Sequence, residues 1–369
     1  MSILKLLLLL VSIINLIECS AQEKEPLNIK YEINYNNKIE LVKIDSINLN
    51  ANYFNTYILD SLIYTFDKKE QKICIYSENA KELISCHELK FKKYIVSIYP
   101  MNRDSIYCLF DNELFLLSNK FEVITKYKFK RKKTIFYTAI DNFQFYIENN
   151  KCYIQKYNID CFENQKDCFT ENIETIISLE NNTYENINVN YSEMYRDNDY
   201  TANLRGISRV KNKNLHIYNF AIDPNLYVYN KLTKETKVIN ASAENQDYIK
   251  PFNKAIQNNL ENKSQETYDY FYKTPQYIYL NYDKYRKYYF RIYFHGQELR
   301  NEEGFYNEYL DRQTILIVFD EFFRKIAEIE IDTKKYNYGI VPLVDGIAIP
   351  RREYVNNKPQ YDIFKFKDI

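Results

Sequence analysis

The residues that could do chemistry in this chain are few and scattered. There are only three histidines in 369 residues, His87, His216 and His295. No Gly-x-Ser-x-Gly elbow, P-loop, Gly-x-Gly-x-x-Gly or His-Glu-x-x-His pattern occurs, so the sequence carries no recognisable catalytic motif. A Ser-His-Asp triad needs spatial rather than sequential adjacency, and the three histidines narrow its choice. His216 alternates with Leu215 and Ile217, which reads as a packed or half-exposed strand residue. His295 precedes Gly296 at a strand end, where a site residue could sit. Paired carboxylates for glycoside chemistry stand roughly 5–9 Å apart in space, a separation that sequence does not show. Asp283, Asp320 and Asp345 lie near strand ends and read first as turn formers. No compact Cys/His spacing suits zinc, so neither a metal nor a cofactor is expected.

The run Tyr282-Asp283-Lys284-Tyr285-Arg286-Lys287-Tyr288-Tyr289-Phe290-Arg291 is the best binding candidate. Tyrosine and arginine together suit stacking and hydrogen bonding to sugars or peptides. Strict alternation puts Tyr282, Lys284, Arg286 and Tyr288 on one face. Tyr282, Arg286, Tyr288, Arg291 and His295 are therefore the candidate binding residues. The alternative is a strand whose tyrosines pack between sheets and whose arginine pairs with Asp283 or Asp320. A second charged run, Lys126 to Lys133, alternates with Tyr127 and Phe129 and reads as one solvated strand face.

The elements that position these residues follow from composition and pattern. The chain has 50 basic and 50 acidic side chains, so balanced charge gives no general pull toward nucleic acid. Hydrophobic residues reach 46%, which excludes a disordered chain. Short runs rich in Ile, Tyr, Phe and Val read as strands. They recur with a spacing of about 44 residues between Asp60–Asp67 and Asp104–Asp111, each followed by two further strands. Weaker copies begin near Asn142, Leu215, Tyr288 and Gly346. A four-stranded unit of roughly 40–45 residues cannot bury both faces alone; repeated radially, it becomes a propeller blade. The predicted fold is all-β, a propeller of six blades, with an early strand over Lys30–Val42 closing the ring. A sandwich or a series of meanders is the alternative. The expected organisation is a signal peptide over 1–19, a tether over 20–29 and one propeller domain over 30–369. Polar excursions are expected near 171–201 and 248–274, the second containing a short helix. With only five glycines in the chain, the turn positions with positive φ fall to Asn (Asn79, Asn112, Asn149, Asn150, Asn225).

The address is written in the first residues. Lys5 and the apolar stretch Leu6–Ile17 match a secretory signal, too short for a membrane span of roughly 20 residues. Leu16-Ile17-Glu18-Cys19 resembles a lipobox ending at Cys19, the candidate lipidation site. Cleavage after Ala21 is the other reading. An exported chain permits disulfides among the six remaining cysteines. Cys74 and Cys86 flank a hairpin turn and are the candidate pair, and free buried thiols are the alternative.

Four stretches resemble one family. They are Thr274–Tyr277 with Asn281–Arg291, Asn225–Asn230 with Lys234–Thr236, Ile315–Asp320, and Val344–Ile349. The family comprises envelope lipoproteins of unknown function from the Bacteroides–Flavobacterium group, related to TolB-like six-bladed propellers. The resemblance runs from about Asp60 to the end. It implies a propeller fold and a lipid anchor, at the outer membrane or in the periplasm, and brings no known activity or catalytic residue. The functional expectation is a non-enzymatic binding protein for a glycan, peptide or envelope protein. An extracytoplasmic hydrolase or lyase on the same scaffold is the alternative.

Overall fold

A computed structural model describes residues 39–49, 56–130, 135–138, 143–158, 169, 171–197, 206–251, 265–355 and 358–368. The signal and tether segments, Cys19, Cys161 and Cys168 lie outside the described residues.

Six antiparallel sheets form the blades of a β-propeller. Blade 1 comprises Thr56–Leu59, Leu62–Asp67, Lys72–Ser77 and Leu83–Glu88. Blade 2 comprises Ser97–Asn102, Ser105–Leu109, Glu113–Ser118 and Val123–Lys128. Blade 3 has five strands, because Ile135–Thr138 and Tyr146–Glu148 share one edge of Lys151–Asn158, followed by Glu174–Ser178 and Tyr184–Asn186. Blade 4 runs through Ile207–Asn212, Leu215–Phe220, Asn225–Asn230 and Thr236–Asn240. Blade 5 runs through Gln276–Asp283, Tyr288–Phe294, Thr314–Phe319 and Lys325–Ile331. The second strands are buried on both faces and so read as largely apolar runs, whereas the outermost strands face water and carry lysine, threonine and glutamate. The apolar core is a ring of clusters, each wedged between neighbouring blades: 1 with 2, 2 with 3, 3 with 4, 4 with 5, and 5 with 6 and 1.

The ring closes in blade 6. Val341–Leu343, Gly346–Val355 and Lys358–Asp368 are joined by Ile39–Asn48, paired from Ile39↔Asp368 to Asn48↔Gln360. The closing strand therefore lies further along the chain than the 30–42 expected, overlapping it at 39–42. Gly346 is required here, because a Cβ would stand 2.1 Å from the Phe364 carbonyl oxygen.

Asp362 fastens this closure. Its buried carboxylate accepts hydrogen bonds from Ser46 Oγ at 2.7 Å, Tyr336 Oη at 2.8 Å and Arg351 Nη2 at 2.7 Å, and pairs with Lys43 Nζ at 3.0 Å. Burial alone would raise its pKa, but Arg351, Ser46, Lys43 and Tyr336 together reverse that and hold the carboxyl well below its ordinary value. A depressed carboxylate contributes stability above its unfolded pKa of roughly 3.9, and loses it as pH falls through the folded value. Asp362→Asn is expected to cost about 2–3 kcal/mol at pH 7. Chemical denaturation at several pH values checks this: the gap between variant and parent should narrow below about pH 4. A gap of constant size down to pH 2 would contradict the assignment.

Two expectations about local structure are corrected. The segment 171–201 is not simply an excursion, since it supplies the two outer strands of blade 3. Tyr184–Asn186 is the solvated edge, whereas Glu174–Ser178 is mostly buried and its polar Glu174 and Thr175 lie inside. Of the asparagines assigned to positive φ, only Asn149 and Asn150 adopt it. Asn182 adopts it too, as do Asp60, Ser61, Gln71, Ala80, Phe121, Lys213, Lys234, Lys287 and Phe323. Each such turn costs on the order of 1–2 kcal/mol, which the flanking strand pairs offset. Asn79 and Asn230 serve instead through their side chains, accepting from Lys81 N and Leu232 N. The helix expected within 248–274 is Gln265–Lys273.

Candidate functional site

The innermost strands of all six blades enclose a central cavity of about 400 Å³. Thr56–Leu59, Tyr99, Gln144–Tyr146, Arg209–Lys213, Tyr279–Tyr282, Lys284 and Ile340–Pro342 contribute to its wall. The charged lining residues are Arg209, Lys211, Lys213 and Lys284, and no Asp or Glu stands among them. Period-2 geometry explains how one strand supplies two of these cations, Arg209 and Lys211, while Lys213 follows in the turn. Along Ile207–Asn212, Val210 packs toward blade 5, and Asn212 Nδ2 donates to Tyr289 Oη at 2.6 Å. Arg209 and Lys211 therefore face blade 3.

A buried polar network stands behind that wall, between blades 3 and 4. Arg209 Nη2 donates to the Gln144 carbonyl at 2.7 Å and stands 3.1 Å from Glu174 Oε1. The Glu174 carboxylate accepts from Tyr218 Oη at 2.5 Å and lies 3.2 Å from His216 Nδ1. Tyr146 Oη lies 2.5 Å from His216 Nε2. Because an ionised carboxylate only accepts, these partners place the His216 proton on Nδ1 and leave Nε2 to accept from Tyr146. Burial opposes ionisation of Glu174, yet Arg209, His216 and Tyr218 outweigh it and hold the carboxyl below its usual range. Burial lowers the His216 pKa, so the imidazole is neutral. Burial pushes the Tyr146 phenol far above its ordinary value. Nearer the cavity, Glu148 pairs with two lysines, Lys211 at 3.0 Å and Lys231. Burial lowers the Lys211 pKa against the opposing pull of Glu148.

The five residues nominated from sequence do not converge. The Tyr282–Arg291 run is not one strand, because Lys284–Lys287 form a hairpin turn with Lys287 at φ 59°. The expected alternation is therefore broken at its centre. Tyr282 lines the cavity and packs at a tilt against Tyr289, ring centroids 4.8 Å apart. Arg286 pairs with Asp283 at 2.6 Å and donates to the Leu343 carbonyl at 2.8 Å, joining blades 5 and 6. Tyr288 packs edge-on to Phe366. Arg291 is fully buried and reaches blade 4. His295 is partly buried beside Tyr293, and its Nδ1 is 3.1 Å from Asp247. Cys74 and Cys86 are directly opposed in blade 1 and joined as a disulfide, while Cys108 and Cys152 are buried free thiols. Lys126, Lys128 and Lys130 are exposed along the outer strand of blade 2 and beyond its end, and 131–133 lie outside the described residues. Among the described residues no group of three or more His, Cys, Asp or Glu is placed to hold a metal. None of their helices is long and apolar enough to cross a membrane.

Arg209, Lys211, Lys213 and Glu174 were not legible as site residues. A weak signal existed in Arg209-Val210-Lys211-Asn212-Lys213, a cationic alternation at the start of a blade. Its meaning depends on knowing which strand is innermost.

No protein-family model matches the sequence, and no curated protein matches it. Solved structures do share the fold. The crystal structure of a DUF4221 family member from Bacteroides vulgatus ATCC 8482 superposes with a TM-score of 0.71 at 18% identity, covering 90% of this chain and 99% of that one. A protein from Bacteroides fragilis NCTC 9343, named as a candidate exported protein, superposes with a TM-score of 0.54 at 10% identity, covering 90% and 95%. The resemblance read from the sequence thus holds at the level of fold.

Proposed function

We propose that this chain is an exported, envelope-associated propeller that binds a ligand in its central cavity without transforming it. The observation that carries this reading is the cavity wall: six blades contribute to it, tyrosines and amides stand among apolar side chains, blades 4 and 5 supply the cations, and no carboxylate is among the described lining residues. A hydrolase needs titratable groups turned toward its substrate. The groups that do converge, Glu174, His216 and Tyr146, are linked through His216 behind the wall, and Glu174 and His216 are 0% exposed. The lipobox-like segment ending at Cys19 supports an N-terminal lipid anchor, with a glycan or envelope protein as partner.

The chain lacks tryptophan, so Thr56→Trp places a single indole reporter in the cavity wall. A screen of envelope oligosaccharides and peptides should yield a compound that raises the unfolding midpoint and also shifts this indole's emission. Ligands that stabilise the protein while leaving the emission untouched would place binding elsewhere. Intact mass of membrane-extracted protein tests the anchor: a lipid-sized increment is expected in the parent and absent in Cys19→Ala. A mature chain beginning at Gln22 without an increment would exclude it.

A further inference from the structure

We infer that the ligand of the central cavity is an acidic sugar, a saccharide bearing a carboxylate or a phosphate; this rests on the cavity-binding reading above. The chain as a whole is neutral, with 50 basic and 50 acidic side chains. Its cavity wall is not: it holds Arg209, Lys211, Lys213 and Lys284 and no acid. The local excess survives an accounting of partners. Arg209 is compensated by Glu174 at 3.1 Å and is structural. Lys211 and Lys231 share the single carboxylate of Glu148, leaving one positive charge over. Lys213 and Lys284 pair with no carboxylate among the described residues; Lys284 stands over its neighbour Tyr285 with Nζ 5.0 Å from the ring centroid.

Concave, low-dielectric walls focus such a field on a solute inside them. Exposed lysines on an open surface would be screened within about 8–10 Å at physiological salt. The cations of blades 4 and 5 line one shared cavity and so act on the same solute. The neutral part of the ligand is addressed by Tyr99 and Tyr282, both half-buried at the wall. A volume near 400 Å³ lies at the small end of ligand pockets, suited to a ligand of a few sugar rings at most. A long neutral polysaccharide or a folded protein partner would instead need an extended surface.

The experiment uses the full mature chain carrying Thr56→Trp. It is titrated with trigalacturonate and its fully methyl-esterified form, and with glucose 1-phosphate and glucose. Binding is read by indole emission and by calorimetry at about 50 and 200 mM salt. The expected result is that at least one acid binds tenfold or more tighter than its neutral partner, and that the preference shrinks at the higher salt. The two arms distinguish a carboxylate from a phosphate ligand. Lys213→Ala with Lys284→Ala, both in exposed or turn positions, should weaken the acid at least tenfold without changing the unfolding midpoint. If a neutral sugar moves the indole as strongly as its acid, cavity binding stands and the acidic assignment falls. If no sugar of either kind binds, the acidic-sugar inference falls, and cavity binding is then judged by the broader peptide and oligosaccharide screen.

Discussion

Replacing Arg291 with alanine is expected to destabilise the propeller by about 3–5 kcal/mol, among the largest effects of any single change. The guanidinium is 0% exposed and lies in a cage of acceptors supplied by blade 4. Its Nε donates to Asn219 Oδ1 at 2.7 Å. Its Nη1 donates to the carbonyls of Pro224 at 2.6 Å and Ala241 at 2.9 Å, and its Nη2 to that of Asp223 at 2.6 Å. Its centre stands 3.7 Å from the centroid of the Tyr277 ring. A buried charge without a bonded carboxylate survives only because its donors meet oxygen. Truncation reverses the balance: several buried acceptors lose their partner at about 1–3 kcal/mol each, partly regained by relaxation, and a cavity opens. Arg291→Lys should also be costly, because three ammonium donors on a flexible stem cannot reproduce the planar fork. Urea unfolding of both variants checks this. An Arg291→Ala protein within 1 kcal/mol of the parent would show that the cage stabilises nothing.

Glu174→Ala is expected to be of similar size, about 3–5 kcal/mol, for a different reason. Here the deletion leaves Arg209, with its side chain 3% exposed, as a buried charge without a counterion. It also removes the acceptor for Tyr218 and His216. Glu174→Gln should cost less, since the amide oxygen can still accept from Tyr218. Removing the charges together, as Glu174→Leu with Arg209→Met, should recover part of the loss. A double variant as unstable as the sum of its parts would mean that the two side chains do not interact. The network also sets a pH dependence. His216 has its pKa lowered by burial, and Glu174 has its pKa lowered by Arg209 and its other partners against burial. In both cases the unfolded chain binds more protons across the affected range, so stability rises with pH. Parent stability should fall first as pH drops below the unfolded histidine value near 6.5, and again below the unfolded glutamate value near 4.3. His216→Gln should remove the first of these declines; a parent curve that stays flat from pH 7 to 5 would refute the neutral, buried imidazole.

Blade number and strand order were legible because burial writes itself locally. A second strand such as Leu62–Asp67 is covered on both faces and is apolar along most of its length. An outer strand such as Val123–Lys128 meets water and shows it. The 44-residue spacing of the first two copies repeats that alternation. The Cys74–Cys86 opposition was legible too, because one hairpin turn fixes which residues face each other. The innermost strands were harder to read. Val341–Leu343 and Tyr146–Glu148 are three residues each, too short to show a period.

Side-chain roles were legible only where they depend on near neighbours in sequence. Arg286 with Asp283 is such a pair, three residues apart across one turn. Arg291 shows the limit. In sequence it ends a Tyr/Arg run that resembles a binding surface, yet its partners lie 50 to 72 residues away in the preceding blade. The same holds for Glu174 and His216, which meet across 42 residues, and for Asp362 and Ser46, which meet across 316.

The sequence by itself determined the class of fold and the count of blades, since both follow from hydrophobic periods within about 45 residues. Only the tertiary structure decided which cations surround the cavity and which are buried rivets between blades. The rivets lie within strands and meet what the neighbouring blade presents, carbonyls and a carboxylate for Arg291 and Arg209, whereas Lys213 and Lys284 lie in exposed turns at the cavity.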